Sequence, residues 1–420
     1  MQEISTRKPP SDSRYEHGPG NGSGNGANLV GTRQRPLRIA FVDYVLEPDK
    51  PGQTGLSDMV WDMASELVQR GHEAHVVASY HTETYPDPRV TVHNFPTPPI
   101  GYRNIVGQLW IIKRAAKVIK QVQPDIVHAP EYVSTAVLAT LGLKIPLVLT
   151  VPGNIFQHIQ EGHNIFEWHF VQVLKWAART SARSCGKVIA SSKEMKYWWE
   201  WSGSLPENTP WIPNGANIER FYPVEHAREQ LGLPDGPLLL LFVGRFSKEK
   251  GLLDLIYALK QMQPEPRPEQ IQVLLVGKGD QQPELVQTIR TYGLDSIVTM
   301  RPWVPKDELR TWYSAADALV LPSHTEGFSR TIPEAMCCGT PVIGSKITGT
   351  EDHVQDYVNG LLFPARDRVA LAGVLEQVVA QPGILRQIRP QTLAYAREHL
   401  TWPRVVERII TEVYHPLVQP

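Results

Sequence analysis

Leu238-Leu239-Leu240-Leu241-Phe242-Val243 runs straight into Gly244-Arg245-Phe246-Ser247-Lys248-Glu249-Lys250-Gly251, and an apolar helical pattern begins at Leu252. Six apolar residues without polar alternation describe a strand covered on both faces, as in the middle of a parallel sheet. The loop places Arg245 at the strand exit and Lys250 at the helix start, so both cations can face one cleft. Strand, loop and helix in that order form the repeating unit of a doubly wound sheet.

Outward from this unit the same alternation recurs. Short β-branched runs at 271–276, 297–300, 318–321 and 341–343 predict further strands, with helical patterns between them. On the N-terminal side, strands are predicted at 38–44, 75–79, 125–128, 146–151 and 187–190, and helices at 56–70 and 104–122. The alternation pauses at 213–223, a turn-rich stretch containing Asn214-Gly215. The expected fold class is therefore α/β, with two Rossmann-like parallel sheets facing a central cleft where ligands of such sheets bind. A length of 420 residues suits two or three domains. Residues 1–35, rich in Gly, Asn and Ser, are expected to form a disordered tail. Their glycines follow no strand and open no helix, so they are not a dinucleotide fingerprint.

The stretch Glu326-Gly327-Phe328-Ser329-Arg330-Thr331-Ile332-Pro333-Glu334 carries the strongest chemical signal. It follows the apolar run 318–321 and leads into a helical pattern. Such a strand-loop-helix corner converges backbone amides on an anion. A carboxylate at each side accepts hydrogen bonds from a separate set of hydroxyls. Phosphate donors flanked by hydroxyl acceptors suit a sugar nucleotide. Arg245 and Lys250 add fixed cations where a leaving diphosphate gathers charge. A solvated Lys-Glu-Lys surface loop is the bland alternative for that pair.

Weaker signals accompany these. Val276-Gly277-Lys278-Gly279-Asp280 ends a strand but lacks the third glycine of a dinucleotide motif. Thr54-Gly55-Leu56 precedes a helix and either presents amides to a phosphate or makes a plain helix-start turn. His72 and His75 are three apart at a strand, which is not a zinc spacing. His158, His163 and His169 near Glu161 and Glu167 suit a structural or acceptor-site role better than metal binding. No Asp-x-Asp triplet occurs, so side chains and helix dipoles, rather than a metal cofactor, are expected to neutralise the diphosphate.

Together these motifs resemble a GT-B fold retaining glycosyltransferase of family 4, over essentially all of the chain from Leu37. The resemblance includes Gly55, Arg70-Gly71-His72-Glu73, Pro124-Asp125-Ile126-Val127-His128 and Asn214-Gly215-Ala216-Asn217. It implies an acceptor-side domain over 36–222, a nucleotide-sugar domain over 223–400, and a segment 401–420 whose helix packs back on the first domain. It implies that Arg245 and Lys250, beside Gly244 and opposite Gly55, hold the donor diphosphate. Glu326 and the amides of Gly327, Phe328 and Ser329 hold the sugar and the adjacent phosphate. Glu334 takes the ribose hydroxyls, and 302–304 lines the base. Arg245, Lys250 and Glu326 are the expected catalytic group. Where the family usually has a sugar-contacting histidine, this chain has Pro152, with Asn154 and His158 nearby.

The expected activity is thus metal-independent, retaining transfer of a sugar from a nucleotide-diphosphate donor to a hydroxyl on a glycan or lipid-linked acceptor. A sugar-nucleotide epimerase, a glycoside phosphorylase and a non-catalytic nucleotide-sugar-binding protein are the rival readings on the same fold. A net charge of -1 argues against general nucleic-acid binding. Three cysteines without paired spacing, and no apolar run near bilayer length, point to the cytoplasm. Lys113, Arg114, Lys117 and Lys120, with no acidic residue among them, make a helix that could rest on the anionic inner face of a membrane. Core packing with a solvated basic edge is the alternative. Tyr197-Trp198-Trp199-Glu200-Trp201 stacks on sugar rings or packs internally.

Overall fold

The computed structural model of the chain describes residues 35–45, 55–79, 87–95, 105–151 and 165–419. The N-terminal strands are β1 Arg38–Val45, β2 Glu73–Ser79, β3 Thr91–Asn94, β4 Ile126–Ala129, β5 Leu147–Val151 and β6 Lys187–Ala190. They form one parallel sheet in the order β3-β2-β1-β4-β5-β6. The second sheet takes β7 Leu238–Val243, β8 Ile271–Val276, β9 Val298–Arg301, β10 Ala318–Leu321, β11 Val342–Lys346 and β12 Gly360–Pro364. Its order is β12-β11-β10-β7-β8-β9, again parallel throughout. Every residue of β4, β7 and β10 is buried, which explains why these strands read as unbroken apolar runs.

Helices cover the sheets with one apolar face each. In Leu252–Gln261 the buried Leu252, Leu255, Ile256 and Leu259 recur at helical spacing. Each such side chain contributes about 1.5–3 kcal/mol by leaving water. Helix α1, Gly55–Gln69, does the same for the first sheet with Met59, Val60, Met63 and Leu67.

The sequence reading missed the two outer strands β3 and β12. Strand β3, Thr-Val-His-Asn, is an edge strand with partly exposed positions and no apolar run. Strand β12 begins with glycine and ends with proline, residues that ordinarily argue against a strand and are tolerated at an edge.

The chain crosses between the halves twice, and the two crossings touch. Ala216 N donates to Leu400 O at 2.7 Å, and Trp402 N donates to Ala216 O at 3.2 Å. A Cβ on Gly215 would lie 2.7 Å from Trp402 N, so the Asn214-Gly215 pair serves close backbone approach as well as turning. Beyond that point Trp402, Val405, Val406, Ile409, Ile410, Val413 and Tyr414 share one core with Ile39, Phe41, Met59 and Met63 of the first half. A π-helical segment, Ile409–Tyr414, lies within this return. His128, at the end of the Pro-Asp-Ile-Val-His motif, fastens it. One ring nitrogen lies 2.7 Å from Tyr414 Oη and the other 2.7 Å from Thr150 Oγ1.

Candidate functional site

In each sheet the strand order reverses once, between β1 and β4 and between β7 and β10. Loops leaving the carboxyl ends of two such strands part in opposite directions and open a crevice. In the second sheet those loops are 244–251 and 322–330, which hold most of the residues singled out above.

The two loops are built against one another. Gly251 has φ +66°, and a Cβ there would lie 2.0 Å from the Pro322 carbonyl oxygen. His324 N donates to Glu249 O at 2.8 Å. His324 Nε2 and Arg368 Nε each lie 2.6 Å from a different oxygen of Asp254. Gly277, with φ +150°, lets the β8 loop lie on the β7 loop, since its Cβ would come within 1.9 Å of Gly244 O. The nearest demand on these glycines is backbone on backbone.

This scaffold brings Lys250 and Glu326 together, with Nζ 2.5 Å from Oε1. Ser323 Oγ donates to the same oxygen at 3.0 Å. Both side chains are largely shielded, Lys250 18% and Glu326 9% exposed. Arg245, by contrast, is 73% exposed, and its nearest carboxylate oxygen, on Glu249, is 3.9 Å away. Beyond Glu326, Gly327, Phe328 and Ser329 are buried, and no backbone carbonyl among the described residues accepts their amides. Behind them the backbone of Gly349 fits so closely that a Cβ would lie 2.6 Å from Glu326 O.

Glu334 sits deeper. Its Oε2 accepts from Tyr313 Oη at 2.9 Å, and Arg330 Nη2 lies 3.6 Å from Oε1. Burial raises its carboxyl above the usual range against the opposing pull of Arg330 and the Tyr313 hydroxyl. Arg330 also reaches the first domain, donating to Asp58 Oδ2 at 2.9 Å, while Lys306 Nζ lies 2.5 Å from Asp58 Oδ1. Burial works to raise the Asp58 carboxyl, but Arg330 and Lys306 outweigh it and hold it below its ordinary value. The sequence reading missed Asp58, Lys306, Arg330 and Tyr313. An available signal was Asp58 with Asp62, two carboxylates one helical turn apart just beyond Gly55.

Gly55 is the first residue of α1, and the preceding turn with Thr54 lies outside the described residues. So do Pro152, Asn154, His158, His163 and the tail 1–34. His72 Nδ1 accepts from Leu37 N at 3.1 Å. Among the described residues no cluster of three His, Cys, Asp or Glu side chains is arranged to hold a metal. Helix α2, Ile105–Val122, turns Ile111, Ile112, Ala115 and Ile119 into the core and leaves Lys113, Arg114, Lys117 and Lys120 exposed. In the aromatic cluster Trp199 is fully buried, whereas Tyr197 and Trp201 are exposed.

Cations and carboxylates gathered at the switch point of a doubly wound sheet suit a ligand that carries both phosphate and hydroxyl groups. The family model for glycosyl transferases group 1 matches residues 223–397, and that for Glycosyltransferase Family 4 matches 54–220. The chain belongs to the GT-B glycosyltransferases, enzymes that use nucleotide-sugar donors. It is 27% identical over 391 residues to a D-inositol 3-phosphate glycosyltransferase of Xylanimonas cellulosilytica, covering 83% of this chain and 90% of the relative. It is 34% identical over 212 residues to one of Streptomyces bingchenggensis, where the match spans about half of either chain, 48% and 46%. Sucrose-phosphate synthase of Thermosynechococcus elongatus shares the fold with a TM-score of 0.76 at 24% identity, over 91% of this chain and 99% of that one. Anabaena HepE in complex with UDP-glucose does so with a TM-score of 0.70 at 23% identity, over 89% and 98%.

Proposed function

We propose that the chain transfers a hexosyl group from a UDP-linked donor to a hydroxyl of a glycan or lipid-linked acceptor, with retention at the anomeric carbon and without a metal. The single observation that carries this reading is the Lys250–Glu326 pair beside the buried loop 327–329. An ammonium group has three N–H donors, and one spent on Glu326 leaves two for phosphate oxygens. Glu326 keeps acceptor capacity for sugar hydroxyls, and the amides of 327–329 face the adjacent phosphate. As the bond from the anomeric carbon to the phosphate oxygen breaks, its electron pair leaves with the diphosphate. Lys250 and Arg245 stabilise that charge more than they stabilise the bound ground state. The acceptor hydroxyl attacks on the same face and passes its proton to the departing phosphate oxygen, which accounts for retention without a protein base. The metal-free reading is supported by two cations, Arg245 and Lys250, on the one loop that follows β7.

The UDP complexes of HepE support the choice of base, and the relatives' names make an inositol phosphate the first acceptor to try. The solvated basic face of α2 supports a peripheral position on an anionic membrane surface, at the cytoplasmic side. The test begins with thermal-shift measurements against UDP, GDP, ADP and their sugars, because a bound ligand raises apparent stability. Turnover with the stabilising donor is then followed by NMR with and without EDTA. An α-linked product from an α-linked donor, unaffected by EDTA, is expected. An inverted product, an altered free sugar nucleotide or loss of activity in EDTA would each overturn the assignment.

A further inference from the structure

Five charged side chains, Asp58 and Asp62 of the first domain and Lys306, Arg330 and Glu334 of the second, gather where the two domains meet. Asp58, on α1, takes Arg330 on one oxygen and Lys306 on the other. One turn later Asp62 accepts from Asn217 Nδ2 at 3.1 Å, on the segment that crosses between the halves. Arg330 stands between two carboxylates, 2.9 Å from Asp58 and 3.6 Å from Glu334. The shorter contact is with the opposite domain.

A guanidinium shared in this way has two settings. Drawn to Asp58, it leaves lone pairs of Glu334 available to hydroxyl donors. Released from Asp58, it closes on Glu334 as a full ion pair and competes with those donors. Both neighbours of Asp58 are shielded, Lys306 28% and Arg330 30% exposed, so neither cation is fully rehydrated if the carboxylate loses its charge. Tyr313 holds the other oxygen of Glu334 on the side away from this exchange.

We infer that Asp58 is a positioning residue for the nucleoside end of the donor: by holding Arg330 across the cleft it frees Glu334 to read the ribose. The inference rests on the assignment of the ribose to Glu334. It makes ribose recognition depend on the two domains being apposed, because the residue that tunes the second domain's carboxylate belongs to the first. Donor selectivity at the ribose is thereby tied to closure.

The experiment compares UDP with 2′-deoxy-UDP by calorimetric titration of the full chain. The parent is expected to prefer UDP by roughly 10-fold, the worth of one hydrogen bond to a charged acceptor. Asp58→Asn is expected to reduce that preference to about two-fold or less while weakening UDP itself by roughly the same 10-fold factor. Lys306→Gln leaves Arg330 on Asp58, so it is expected to weaken both nucleotides by one common factor. Equal affinities in the parent overturn the ribose assignment and the inference with it. A parent preference retained in Asp58→Asn overturns the inference alone. Should Asp58→Asn fail to fold, Lys306→Gln still decides, since a lost preference there removes Arg330 from the explanation.

Discussion

Lys250 Nζ lies 2.5 Å from Glu326 Oε1, although the two residues are 76 positions apart and leave different strands. Their loops follow β7 and β10, neighbours at the reversal of strand order. The pair unites the expected diphosphate cation and the expected sugar carboxylate in one contact. Lys250→Ala removes a preorganised charge from the leaving group and the partner of a shielded Glu326. Turnover is expected to fall by roughly 100-fold or more. Lys250→Arg keeps charge but not shape, and is expected to recover only part of the loss. Steady-state kinetics on the identified substrates check both, and near-parental turnover in Lys250→Ala would remove the lysine from the mechanism.

The position of Lys250 depends on the residue after it. Gly251 combines φ +66° with a carbonyl oxygen, from Pro322, where a Cβ would stand. Gly251→Ala must either move the 322–330 loop or abandon the left-handed turn. The expected cost is about 2 kcal/mol or more, a fall of about 5 °C in melting temperature, with turnover reduced further than stability explains. Gly339→Ala is the control, since Gly339 has φ +76° but nothing within 4 Å of its Cβ position. If both variants behave alike, backbone conformation and not loop apposition sets the requirement.

Much of this arrangement is legible in the residues themselves. Leu238–Val243 announces a central strand because burial on both faces removes polar alternation. The loop cations and the two glutamates stand out because glycine and charge are unusual companions at strand ends. The meeting of Lys250 with Glu326 is not legible, because it follows from strand order, which no local pattern encodes. Arg330 and Asp58 are hidden for a related reason. Each looks like an ordinary surface charge on its own element, and only the apposition of two domains shields them. Gly215 shows the converse limit: the Asn-Gly signal marks a turn, whereas the structure adds a second chain segment against its α-carbon.

The solvent face of α2 carries Lys113, Arg114, Lys117 and Lys120, with Arg114 stacked 4.0 Å from the centre of the Trp110 ring. Since Ile111, Ile112, Ala115 and Ile119 of this helix point into the core, adhesion to a membrane rests chiefly on charge. Each cation contributes about 1 kcal/mol near an anionic surface, within a Debye length. The parent is expected to float with vesicles containing phosphatidylglycerol at low salt and to be released by about 0.5 M salt, which shortens the Debye length to roughly half its physiological value. Lys113→Glu, Arg114→Glu, Lys117→Glu and Lys120→Glu together are expected to abolish flotation without lowering the melting temperature. Flotation of that variant, or none by the parent, removes the membrane assignment.

Two buried histidines give the fold a definite response to acid. Burial lowers both His128 and His353 to about 3 from an ordinary value near 6.5. Below pH ~6.5 the unfolded chain binds a proton at each site and the folded chain does not. Stability is therefore complete above that pH and falls by about 1.4 kcal/mol per histidine for each unit below it, down toward pH 3. Asp58, held low by its cations, adds to the loss only when the pH falls below the unfolded value near 3.8. The two histidines differ in what neutral replacement costs. His128 has a partner 2.7 Å from each nitrogen, so His128→Phe strands Tyr414 and Thr150 and is expected to cost about 2–4 kcal/mol at pH 7.5. Neither nitrogen of His353 meets a hydrogen-bond partner among the described residues, and its ring packs against Phe328 and Trp211. His353→Phe is expected to hold or raise the melting temperature at pH 7.5 and to halve its dependence on pH between about 6 and 4.5. Melting curves over that range decide the matter, and an unchanged pH slope in His353→Phe would show that this histidine titrates in the folded chain.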